Sequence, residues 1–142
     1  GRETKRKKKL EAEQRRMREE KQKEESLVDI IARVARETIP VSVNGVRHHR
    51  NLAVLPDRLL PDWTQATFET LRVADFELLA SLDAEIVLLG TGRQLRFPSP
   101  ELLRPLLQAQ KGLEVMDVPA ACRTYNILMA EGRKVAVGLL LL

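Results

Sequence analysis

Cys122, His48, His49, Asp117 and the run Gly90-Thr91-Gly92-Arg93 are the residues whose types bear most directly on chemistry. Cys122 lies in Pro119-Ala120-Ala121-Cys122-Arg123, one turn into a helix that Pro119 opens, where the helix dipole and Arg123 would favour a thiolate. A nucleophilic thiol needs a base, so folding would have to bring a histidine to it. The competing reading, a small half-buried helix residue, is the one favoured. His48 and His49 do not make a metal pair, because adjacent strand residues point to opposite faces, and no metal site or cofactor is expected. Gly90-Thr91-Gly92-Arg93 follows an apolar run, and backbone N–H groups bared by glycine can cradle an anion. The third glycine of the dinucleotide motif and the Lys-Ser/Thr of the phosphate loop are both missing, so a structural turn is favoured. Asp117 closes a strand at the edge where ligands of open α/β sheets gather, and it is equally placed to cap the helix behind it. Trp63 ends the loop PDRLLPDW and reads as a plug over the core or, more sharply, as an anchor for a partner.

The elements that must position these residues follow from periodicity. No Gly or Pro occurs between Lys5 and Ile39, which predicts one long helix, with Ser26 as a local cap that would allow a break between its halves. Its first half is charged and solvated. Its second half carries an apolar stripe at Leu27, Ile30, Ile31, Val34 and Ala35, and Pro40 stops it. Val41, Val43 and Val46 around Asn44-Gly45 predict a tight hairpin. Leu52 to Leu55 reads as a strand, Pro56 to Trp63 as a two-proline loop, and Phe68 to Val73 as a short strand. Asp75 is expected to cap a helix lined by Phe76, Leu78, Leu79 and Leu82.

The stretch from Glu85 to Asp117 reads as strand, glycine turn, helix, strand. The helix spans Glu101 to Gln110 with Leu102, Leu103, Leu106 and Leu107 as its apolar face, and the strand Leu113 to Met116 returns parallel to the first. A helix from Pro119 to Met129 and a central, strongly apolar strand from Val135 to Leu142 complete the chain.

Composition narrows the function classes. A length of 142 residues suits one domain. Residues 1–37 hold 13 Lys plus Arg against 9 acids, and the remainder holds 11 of each. A neutral domain is a poor nucleic-acid binder, so any such contact would rest on Lys5 to Lys9. A single cysteine excludes an internal disulfide. No apolar run approaches the roughly 20 residues that span a bilayer. The expected location is cytoplasmic, or the mitochondrial matrix for a eukaryotic protein with a processed leader.

The segments VNGVRHHRNLAVLPDRLLPDW, IVLLGTGRQLRFPSPELL and GLEVMDVPAACRTYNILMAEGRKVAVGLLL resemble the small-domain family that includes the mitochondrial complex I assembly factor 3 and the adipogenesis-associated domain protein. The resemblance covers about residues 41–142. It rests on the Asn44-Gly45 hairpin, the loop from Leu55-Pro56 to Trp63, the Gly-Thr-Gly turn, Phe97-Pro98, the Glu114 to Asp117 run and Arg123-Thr124-Tyr125-Asn126. It implies a compact three-layer α/β domain with a mixed sheet and no established enzymatic activity. It also implies a pocket involving Gly90, Thr91, Gly92, Arg93, Phe97, Asp117, Arg123 and Asn126. Family members usually carry a further strand before the hairpin, where this chain has its charged helix.

The expectation is therefore a charged helical extension over residues 1–38 and a single α/β domain over 39–142. The expected function is a non-enzymatic protein-interaction or assembly domain whose partner is another protein, with a membrane-complex subunit as the candidate. The first alternative is a small-ligand or redox enzyme with its pocket at the Gly-Thr-Gly turn. The second is a nucleic-acid contact through the basic N-terminus.

Overall fold

Asn44 and Gly45 adopt positive φ angles of 49° and 83°, the conformation a two-residue hairpin turn demands and that asparagine and glycine tolerate. The computed structural model describes the backbone of residues 2–26, 30–32 and 40–142 and the side chains of residues 2–18 and 40–142. Its first element is the helix Arg2–Ser26 (α1), whose side chains from Arg2 to Arg18 are all exposed.

The predicted helix does not continue through Ile31. Ile30–Ala32 is instead a strand (β1), antiparallel to Val41–Val43 (β2), with Ile30 opposite Val43 and Ala32 opposite Val41. Two β-branched isoleucines fit either element, and a partner strand outweighs weak helix propensity. Leu27, Val34 and Ala35, the rest of the expected stripe, lie outside the described residues. β2 pairs in turn with Val46–His48 (β3), so strand pairing crosses the boundary expected at residue 38.

Leu52–Leu55 (β4) is followed by a second hairpin strand, Arg58–Pro61 (β5), where a two-proline loop was predicted. β5 is the outermost strand of its sheet, and a proline at the end of an edge strand sacrifices no ladder bond. Phe68–Thr70 is a 3₁₀ turn rather than a strand. There the Thr67 N–H donates to the Thr70 hydroxyl at 2.9 Å, a local bond that competes with strand pairing.

The helix Val73–Ser81 (α2) begins before Asp75, which is its third residue. The Asp75 carboxylate still caps, accepting the Arg72 N–H at 2.8 Å and the Thr64 hydroxyl at 2.6 Å. The strand Ile86–Gly90 (β6) leads through the glycine turn to a 3₁₀ turn at Pro100–Leu103 and a short helix, Arg104–Gln108 (α3). Leu106 is buried, but Leu107 is 71% exposed and does not belong to the apolar face expected there. Gly112–Met116 (β7), Val118–Ala130 (α4) and Val135–Leu139 (β8) follow.

Five of these strands form a mixed sheet in the order β5-β4-β8-β6-β7. β6 runs parallel to both β7 and β8, and β4 runs antiparallel to β8, which makes β8 central as its apolar sequence predicted. One face buries Leu52, Val54, Leu88, Val137 and Leu139 against Ala121, Cys122 and Tyr125 of α4 and Val41 and Val43 of the hairpin. The other buries Ala53, Leu55, Val87, Leu89 and Ala136 against Trp63, Phe76, Leu79 and Leu106. The result is the expected three-layer α/β architecture. Each fully buried aliphatic side chain contributes about 1.5–3 kcal/mol.

Candidate functional site

The Gly-Thr-Gly turn leaves β6 at the end of the sheet where β7 delivers Asp117. Gly90 is glycine because α4 crosses it closely: a Cβ there would lie 2.9 Å from Leu139 Cδ2, 3.2 Å from Val118 Cγ2 and 3.3 Å from Ala121 Cβ. Thr91 is 2% exposed. Its N–H donates to the Met116 carbonyl at 2.8 Å, its hydroxyl donates to the Gln94 carbonyl at 2.6 Å, and that same oxygen accepts the Arg96 N–H at 3.1 Å. Gly92, at φ +97°, accepts the Val118 N–H at 2.8 Å. The turn therefore directs much of its hydrogen-bonding capacity inward, onto β7, α4 and its own loop, as the structural reading of the motif expected.

Asp117 is the N-cap of α4 and accepts the Ala120 N–H at 2.8 Å. Arg123 is exposed and Asn126 half-buried on that helix. None of these three lines the hollow beside the turn. That hollow, about 270 Å³, is walled by Phe68, Thr91, Gly92, Arg93, Arg96 and Leu140 among others. A groove of about 400 Å³ continues from Phe68 past Leu71, Phe97, Pro98 and Leu102. Between the two, the Arg96 guanidinium stacks on the Phe68 ring at 4.5 Å from its centroid and pairs with Glu69. That pair holds the Glu69 carboxyl below the usual carboxylate range. Phe97 is 73% exposed and Leu95 is 50% exposed on the same loop.

The fold thus brings Gly90, Thr91, Gly92 and Arg93 together, sets Phe97 on the adjoining rim, and puts Arg123 and Asn126 on a separate helix face. Trp63 lies across the sheet from α4, 7% exposed, with its indole N–H donating to the Leu139 carbonyl at 3.1 Å. This is the plug arrangement, and the ring leaves little surface for a partner.

Cys122 is buried, and burial pushes its thiol up to about 12, with Arg123 opposing only weakly. A thiol so placed is protonated at neutral pH and makes a poor nucleophile. Burial, reinforced by the charge of Asp57, likewise raises Tyr125, whose hydroxyl finds no partner among the described residues. No cluster of three or more His, Cys, Asp or Glu with metal-binding geometry occurs among the described residues.

Two features escaped sequence reasoning. Asn51 is 1% exposed and makes four hydrogen bonds: it donates to the carbonyls of Thr64 and Ala66 and accepts the N–H groups of Leu141 and Leu142. An asparagine beside an apolar run looks like a turn residue, and nothing local marks it as buried. The Phe68–Arg96 stack joins residues distant in sequence and carries no motif.

A family model described as a protein of unknown function (DUF498/DUF598) matches residues 36–140. The chain belongs to this family. The bovine (Bos taurus) NADH dehydrogenase [ubiquinone] 1 alpha subcomplex assembly factor 3 is 34% identical over 100 residues, covering 69% of this chain and 54% of that protein. The chain thus spans about half the length of the curated relatives it matches. A Bordetella parapertussis protein of known crystal structure superposes with a TM-score of 0.69 at 36% identity, covering 79% of this chain and 95% of that one. A Bordetella pertussis protein described as a Mth938-like domain gives a TM-score of 0.66 at 33% identity, covering 81% and 86%. The DUF498/DUF598 assignment agrees with the resemblance drawn from the hairpin, the glycine turn and the Arg-Thr-Tyr-Asn helix.

Proposed function

We propose that this chain is a non-enzymatic protein-interaction domain that serves the assembly of a respiratory membrane complex of the complex I type. The observation that carries this reading is the match, along most of the α/β domain, to proteins named as assembly factors for NADH dehydrogenase. The geometry supports it. The polar groups of the glycine turn are largely consumed in holding the turn, and the one cysteine is buried as a neutral thiol. What the site offers outward is a mixed surface: Leu95 and Phe97 are exposed among Arg93, Gln94 and Arg96, beside the Phe68–Arg96 stack, the aromatic-and-arginine composition common at interfaces.

The partner in this reading is a subunit of the assembling complex, met from the cytoplasm in a bacterium or the matrix in a mitochondrion. The surface assigned to that contact is the rim around Leu95 and Phe97; no described helix is long and apolar enough to cross a membrane. The test is cross-linked capture from the native cell, comparing the full chain with a Leu95→Asp/Phe97→Asp variant. Enrichment of NADH dehydrogenase subunits by the native chain and its loss in the variant is the expected result. A capture profile without those subunits, or one the variant leaves unaltered, overturns the reading.

A further inference from the structure

The charge of α1 is concentrated at one end. Arg2, Lys5, Arg6, Lys7, Lys8 and Lys9 are all exposed, with Glu3 the only carboxylate among them. From Leu10 to Ser26 the balance reverses slightly, with Arg15, Arg16, Arg18, Lys21 and Lys23 against six glutamates. At a rise of about 1.5 Å per residue the basic cluster occupies roughly 12 Å of axis, and at about 100° per residue Lys5 to Lys9 point to every side of the helix. The sequence beyond it sets opposite charges at i,i+4 spacing, as at Glu11 and Arg15.

Three kinds of polyanion would answer such a cluster, and the arrangement discriminates among them. A helix seated in a duplex groove has phosphates along its whole length, whereas the glutamates from Glu11 onward would face them. A single strand needs aromatic platforms between the cations, and residues 2–26 contain no aromatic side chain. A plane of fixed negative charge demands no register, so whichever side of the helix faces it presents cations, and those within about a Debye length of the surface each add nearly independently. α1 has no apolar face to insert, its apolar residues before Ser26 being Leu10, Ala12 and Met17, so the contact is electrostatic.

We infer that Arg2 to Lys9 dock this chain on the surface of an anionic lipid bilayer. This is independent of the assembly reading, which concerns the opposite part of the sequence and a protein partner. The test is flotation of the full chain with vesicles of phosphatidylcholine alone and with about 30% phosphatidylserine, at salt from about 0.1 M to about 0.5 M. Binding is expected only to the phosphatidylserine vesicles and falls steeply with salt. The variant Lys5→Gln/Arg6→Gln/Lys7→Gln/Lys8→Gln/Lys9→Gln is expected to bind at least about a hundredfold more weakly. Glutamine is nearly as good a helix former as lysine, so circular dichroism of the variant matches the native chain. An Arg58→Gln/Arg133→Gln variant, altered on the domain, binds as the native chain does. Equal binding to neutral vesicles, undiminished binding by the five-site variant, or displacement from the vesicles by duplex DNA at physiological salt each overturns the inference.

Discussion

The side-chain oxygen of Asn51 accepts the backbone N–H of Leu141 at 2.8 Å, a bond that ties the entry of β4 to the end of β8 across ninety positions of sequence. The same carboxamide donates to Thr64 and Ala66, so one buried side chain satisfies four backbone groups around the loop that carries Trp63. Such a residue is a structural clamp, because removing it strands several buried partners at once.

Asn51→Ala is therefore expected to destabilise the fold by about 2–4 kcal/mol. Urea denaturation read by far-ultraviolet circular dichroism measures this, and a loss below about 1 kcal/mol would show that water replaces the carboxamide.

The glycines divide by what surrounds them. Gly90→Ala drives a Cβ against Leu139 and α4, and Gly138→Ala meets the Trp63 ring at 3.1 Å and Leu79 at 3.2 Å. Each is expected to cost about 1–3 kcal/mol. Gly112→Ala has nothing within 4 Å and no positive φ, so it serves as the near-neutral comparison in the same thermal melts.

Trp63 is the sole tryptophan and reports on the face packed by α2. Its native fluorescence is expected to be blue-shifted and resistant to quenching by iodide, then to shift red in a single unfolding transition. Trp63→Phe removes the donor to the Leu139 carbonyl and is expected to cost about 1–3 kcal/mol.

The Cys122 thiol ionises at about 12 in the folded chain against an ordinary value of 9.0. Between those values the unfolded chain releases a proton that the folded chain retains, so stability falls as pH rises from about 9 toward 12. Tyr125 is raised as well and acts in the same sense. Cys122→Ala is expected to flatten this alkaline slope in melts taken across that range. Alkylation of the native thiol is expected to stay slow at neutral pH and to become rapid in urea.

Phe97→Asp is expected to leave the melting temperature nearly unchanged, because the ring is 73% exposed, while weakening partner capture. Arg96→Ala removes an exposed ion pair and a ring contact and is expected to lower the melting temperature only slightly. A strong fall in stability from Phe97→Asp would mean that the loop packs in solution rather than presenting its apolar face.

Much of the architecture was legible in the residues, for local reasons. Asn44-Gly45 specifies its turn because few other pairs tolerate two positive φ angles. The apolar runs Ile86–Gly90 and Val135–Leu139 announce strands covered on both faces, and Asp117 before Val118-Pro119 announces a helix start. The family resemblance rested on such signals. What the residues could not convey depends on contacts between distant segments. Ile30 and Ile31 suit helix or strand equally, and pairing with Val41–Val43 selects the strand. Arg58–Pro61 becomes a strand because β4 offers it an edge. The inward polar groups of the glycine turn, the burial that silences Cys122, the clamp at Asn51 and the stack of Arg96 on Phe68 all join residues far apart in sequence. Local propensity is worth tenths of a kcal/mol per residue, whereas burial and pairing are worth several times more, so packing had the final word wherever the two disagreed.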